Sequence, residues 1–101
     1  MKKNYEIYIG PFSDKKHGKV PGFILGDDLY PDRYTIVIDS RLPIEQQKHV
    51  LKHEFAHMLL GHVEQFWRGD EVEQEAEEMA YRMTDDEMND LIRHATKIER
   101  M

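Results

Sequence analysis

The chain has 101 residues, a mass of 12.1 kDa, no cysteine and a formal net charge of −6. Those values predict one small domain over 1–101, exclude disulfides and thiolate metal ligands, and argue against direct binding of nucleic acid. No run approaches membrane-span length, Met1-Lys2-Lys3 is not followed by the apolar stretch of a signal peptide, and the lack of cysteine fits the cytosol, so a cytoplasmic protein is expected.

Tyr5-Glu6-Ile7-Tyr8-Ile9 alternates and is rich in aromatic and β-branched residues, which predicts a strand over 5–9. Residues 10–22 read as loop, with Gly10-Pro11 and Pro21-Gly22 at its ends and His17 as a solvated loop residue. Phe23 to Gly26 predicts a second strand, Asp27-Asp28 and Pro31-Asp32-Arg33 a turn, and Tyr34 to Ile38 the clearest strand. Three short strands joined by turns predict a small, mostly antiparallel sheet in an α+β fold.

Pro43 suits a first helical turn and Gly61 a C-terminal cap, so Pro43 to Leu60 reads as one helix packed on that sheet. Ile44, Leu51, Phe55, Met58 and Leu59 share a face of it. His53 and His57 lie nearly opposite, flanked by Val50, Ala56 and Leu60. A helix apolar on most sides is expected at the centre of the fold. His53-Glu54-Phe55-Ala56-His57 matches H-E-x-x-H. Imidazoles four residues apart on one helix face can reach a single metal ion, and Glu54 is placed to act as a general base. The plain alternative is a pair of hydrogen-bonded core histidines with Glu54 as an ordinary helix former. His49 continues the histidine stripe but lies about 12 Å along the axis from His57. It is too far to share the ion and reads either as a residue that supports a ligand from behind or, the favoured reading, as a half-buried helix residue.

The loop from His62 to Gly69 carries Phe66 and Trp67, read as core plugs, and His62, read as capping or exposed. Asp70 and Glu73 have capping-box spacing. Val72, Ala76, Met79, Ala80 and Met83 form a stripe, predicting a helix from about Glu71 to Met83. Thr84 and Glu87 form a second capping box, with Met83 and Met88 placed for a hydrophobic staple. Met88, Leu91, Ile92, Ala95 and Ile98 predict a final amphipathic helix from Asp85 to about Glu99. A catalytic zinc usually has three protein ligands. The metzincin extension fails, because Leu60 and Val63 stand where Gly and His are required. The acidic helix supplies the remaining candidates. Glu73 borders the small Ala76 and Ala80, but spacing alone leaves Glu75 and Glu77 open beside it.

His53-Glu54-Phe55-Ala56-His57 followed by Glu73-Gln74-Glu75-Ala76-Glu77-Glu78-Met79-Ala80 resembles the ImmA/IrrE metallopeptidases, a gluzincin group with H-E-x-x-H and then E-x-E/Q-A-N-x-F-A. The resemblance covers about residues 30 to 83. It implies that His53, His57 and Glu73 bind zinc and that Glu54 is the catalytic acid/base. The reaction implied is peptide-bond hydrolysis by a zinc-bound water. Glu77 stands where the family usually has Asn, a position from which a side chain could bond a ligand imidazole and fix its tautomer. Met79 replaces the usual Phe. The chain lacks the helix before the first strand and the Leu-Leu-Met-Pro after the second motif. Its size is similar to that of the minigluzincins, some of which are held latent by their own C-terminal segment. A protein or peptide substrate is expected, with a helix-turn-helix repressor as the implied partner, and no membrane. The rival expectation is a metal-stabilised, non-proteolytic interaction module of a mobile element.

Overall fold

A computed structural model describes residues 4–11, 21–27, 29–61 and 70–101. The readings made above for Met1 to Lys3, for residues 12–20 including His17, for Asp28, and for His62, Phe66 and Trp67 fall outside those residues. The elements are β1 (Asn4–Gly10), β2 (Gly22–Gly26), β3 (Arg33–Asp39), α1 (Ile44–Leu60), α2 (Asp70–Arg82), α3 (Asp85–Arg93) and β4 (Lys97–Arg100).

The sheet has four strands in the order β2-β3-β1-β4. This corrects the expectation of a three-stranded, mostly antiparallel sheet. β2 and β3 do form an antiparallel pair, with Ile24 opposite Ile36. β1, however, pairs parallel with β3, Ile7 beside Ile36, and parallel with β4, Ile7 beside Ile98. The physical reason is insertion. Strand directions do alternate along the chain through β1, β2 and β3, but β3 enters between the other two, so β1 and β2 are never neighbours.

One face of the sheet carries Tyr5, Ile7, Ile9, Ile36 and Ile38, all buried, and α1 lies across it with Leu51, Phe55 and Met58 turned inward. Tyr5 meets Phe55 edge-on, ring centroids 5.8 Å apart, a favoured aromatic geometry. Phe55 and Ile36 are fully enclosed. Ile44 and Leu59, expected on the same face of α1, are instead exposed near its two ends.

The entry into α1 is fixed by polar contacts. Asp39, buried at the end of β3, accepts from the Arg41 amide at 3.0 Å and from its guanidinium at 3.2 Å. The Arg41 amide and guanidinium hold its carboxyl below the usual carboxylate range. Gln47 donates from its amide to the carbonyls of Ser40 and Leu42 at 3.1 and 2.7 Å. Gly61 ends the helix in the left-handed conformation, φ 75°, as a C-cap glycine does.

The Thr84 capping box is present in full, and Met83 and Met88 are both buried at the staple positions. α3 stops at Arg93, six residues short of the expected Glu99. The four residues from Lys97 form β4 instead, and Ile98 is part of a strand. Thr96 N–H donates to the Tyr5 carbonyl at 2.8 Å and Met101 N–H to the Ile9 carbonyl at 2.9 Å. β1 would otherwise leave that edge unpaired. The helical spacing of Met88, Leu91, Ile92 and Ala95 is sound, but Ile98 satisfies both a helical stripe and a short strand, and tertiary pairing decides. Among the described residues, no helix is long and apolar enough to cross a membrane.

Gly22, the first residue of β2, sits where no side chain fits. A Cβ there would lie 2.7 Å from Val50 Cγ1 and 2.8 Å from the Val37 carbonyl oxygen. The backbone oxygen cannot move aside cheaply. Gly22→Ala is therefore expected to cost about 1–3 kcal/mol, the usual range for overpacking, read as a lowered denaturation midpoint. An unchanged midpoint would show that β2 does not approach α1 this closely.

Candidate metal centre

α1 and α2 lie side by side and face each other with two matched rows. α1 contributes His49, His53 and His57, each one turn apart. α2 contributes Glu73, Glu77 and Tyr81, also one turn apart. Such i, i+4, i+8 rows lie along one helix face. The rows run in opposite senses, so His57 meets Glu73, His53 lies between Glu73 and Glu77, and His49 meets Glu77 and Tyr81.

At the inner end of this ladder, three donor atoms converge. His53 Nε2 is 3.0 Å from His57 Nε2 and 2.9 Å from Glu73 Oε2, and His57 Nε2 is 3.3 Å from the same oxygen. His57 is fully buried. The two rings are nearly perpendicular, with centroids 4.7 Å apart. Glu54 is 4% exposed, and it groups with His53 and His57 as donors within 4.8 Å of one another. Glu73, by contrast, is in direct contact with both imidazoles.

The expected capping role of Glu73 gives way to these contacts. Burial pushes its carboxyl up, but its hydrogen bond to His53 and the charges of His57 and His53 outweigh burial, so its pKa is held below the ordinary glutamate range. Small residues on α2 make the approach possible. Ala76 and Ala80 are fully buried next to this face, and larger side chains there would hold the helices apart.

The donor set suits a divalent metal. Two imidazole nitrogens and one carboxylate oxygen meet here, the ligand types that zinc takes in catalytic sites. Ligand bonds of roughly 2.0–2.1 Å in a tetrahedron put donor atoms roughly 3.3–3.4 Å apart. The three separations found here fall at or slightly below that range.

The outer rungs bring Glu77 beside His53, as the family resemblance implies, though not within hydrogen-bond distance. Glu77 Oε1 lies 3.6 Å from His53 Nδ1, the ring nitrogen that faces away from Glu73. The same oxygen is in close contact with His49 Nε2. The ring of His49 in turn packs on Tyr81, centroids 5.0 Å apart. His49 is half-buried, as expected, and is also a member of the ladder. The signal was available: the His49-His53-His57 row has the same period as Glu73-Glu77-Tyr81, and two antiparallel helices bring such rows into register.

His49, His53, Glu54, Glu73 and Glu77 line a cleft of about 380 Å³ together with Pro21, Gly22 and Val50. β2 therefore starts at its rim. β4 is at the other edge of the sheet, and Met101 is bonded to β1. The C-terminal tail does not lie where a lid over this cleft would.

A small α+β domain with H-E-x-x-H on its central helix, and clustered His and Glu donors beside it, has the build of a metallopeptidase. The chain belongs to the IrrE N-terminal-like domain family, Peptidase_M78, whose sequence profile matches residues 9–98. No match was found among curated proteins or among solved structures.

Proposed function

We propose that the chain is a zinc-dependent peptidase in which His53, His57 and Glu73 hold the ion and Glu54 is the acid/base. The convergence of His53 Nε2, His57 Nε2 and Glu73 Oε2 within 3.3 Å carries this reading. A zinc ion bound there supplies Lewis-acid polarisation of a carbonyl and acidifies a water. Glu54 removes a proton from the attacking water as its oxygen bonds to the scissile carbonyl carbon. It returns that proton to the amine as the C–N bond breaks. Its near-complete burial keeps the carboxylate in one place beside the two histidines. Among the described residues β2 is paired on one side only, with β3. Its open side, beginning at the cleft, suits an extended peptide added as a further strand.

The substrate on this reading is a protein or peptide, with a helix-turn-helix repressor as the candidate partner. The net charge of −6 disfavours direct contact with nucleic acid.

Glu73→Ala is expected to weaken zinc binding by about a hundredfold or more, since even partners that only orient a ligand contribute 10–100-fold. Glu71→Ala and Glu75→Ala are expected to stay near the parent. Zinc content after dialysis and a chelator competition read the difference. Equal zinc in parent and Glu73→Ala would overturn the ligand assignment. Cleavage is assayed with the zinc-loaded protein on a peptide library read by mass spectrometry. Bound zinc with no cleavage of the library or of candidate repressors would sink the peptidase reading in favour of a metal-stabilised interaction module.

A further inference from the structure

The ladder between α1 and α2 does not end at the three converging donors. Its outer rung joins His49, Glu77 and Tyr81, and Glu77 Oε1 contacts His49 Nε2 while lying 3.6 Å from His53 Nδ1, just beyond a hydrogen bond. An imidazole binds a metal through one nitrogen only if its other nitrogen carries the proton. That proton is best held by a carboxylate or carbonyl. In His53, Nε2 faces Glu73 and His57, so with the ion held on Nε2 the proton would sit on Nδ1. Glu77 is the carboxylate on that side.

Glu77 by itself is poorly restrained. It projects from α2 into a cleft open to solvent, its side chain 44% exposed, and a glutamate has several rotamers of similar energy. His49 restricts that choice. It stands one turn before His53 on the same helix, its ring is packed on Tyr81, and its Nε2 meets the same oxygen that faces His53.

We propose that His49 is a positioning residue, which holds Glu77 against the outer nitrogen of His53 and so fixes that ring for metal binding. The inference rests on the reading of His53 as a ligand. His49 touches neither the ion nor the substrate in this role. It acts through Glu77, and any side chain that donates a hydrogen bond from the same place can replace it.

The test is a zinc competition titration with a chromophoric chelator on the full chain, applied to the parent, His49→Ala, His49→Gln, Glu77→Ala and the double variant His49→Ala/Glu77→Ala. The thermal midpoint of each metal-free protein is measured in parallel. His49→Ala is expected to lower zinc affinity about 10–100-fold, the range for partners that orient a ligand. Its metal-free midpoint is expected to stay close to the parent's, because His49 is half exposed. His49→Gln should recover most of the affinity, since its amide donates from nearly the same position but cannot act as an imidazole acid or base. In the Glu77→Ala background, loss of His49 should add nothing further. In the zinc-loaded parent the His53 Nδ1 proton should be visible by NMR as slowly exchanging, and His49→Ala should speed its exchange. Unchanged or increased affinity in His49→Ala would overturn the proposal, the latter by showing that His49 draws Glu77 away from His53. Losses that add in the double variant would overturn it as well. A parent that takes up no zinc would instead overturn the metal reading itself.

Discussion

Glu54→Gln is expected to lower kcat/KM for peptide hydrolysis by about 10²–10⁴-fold, the usual contribution of a positioned general base, while zinc content stays at the parent's level. The substitution keeps shape and volume, which matters at a side chain only 4% exposed. It removes basicity alone, since an amide oxygen cannot take a proton from water near neutral pH. His53, His57 and Glu73 keep their places, because their mutual contacts do not pass through Glu54. The variant thus separates binding of the ion from chemistry. Cleavage by Glu54→Gln at the parent rate would remove Glu54 from its role. Loss of both zinc and cleavage would show that its carboxylate helps to hold the ion, as its grouping with the two histidines allows.

The central helix was legible because its signals are local. The H-E-x-x-H spacing, Pro43 before it and Gly61 after it are all read within twenty residues, and the helix spans Ile44–Leu60. Three of the four strands were legible for the same reason. Their neighbours were not. Turn residues fix where a chain reverses, and the reversals at β2 and β3 are real, but nothing local says that β3 slips between β1 and β2. The contact of Glu73 with the two histidines lay between these cases. Spacing placed Glu73 on the helix that faces the histidines without separating it from Glu75 or Glu77, because the choice depends on how α2 rotates against α1. Ala76 and Ala80, both fully buried, accompany the rotation in which Glu73 meets the histidines. The same rotation brings Glu77 and Tyr81 to His49, a consequence visible only once both helices are considered as a pair.

The other large effect is expected at the C-terminus. Deleting residues 97–101 should destabilise the fold by about 3 kcal/mol or more, given roughly 0.5–1.5 kcal/mol for each backbone hydrogen bond lost and the apolar edge uncovered. Against a total stability of about 5–15 kcal/mol that is enough to blunt the melting transition. β4 covers the open side of β1 from Glu6 to Ile9, and Ile7 and Ile9 on that strand belong to the core. The segment just before it is tied to the same strand, with Tyr5 Oη donating to the Leu91 carbonyl at 2.6 Å. Without β4, that contact, the Thr96 amide and the packing of Met88, Leu91 and Ile92 on the core are left to hold α3 near β1. A lid would behave otherwise. Its removal would leave the thermal midpoint unchanged and raise peptidase activity, because a lid shields the cleft without supporting the core. β4 is separated from that cleft by β1 and β3, so its loss should reach the histidines only through unfolding. A truncated chain that melts at the parent temperature would overturn the structural role of β4, and increased cleavage with it would make the C-terminal segment inhibitory.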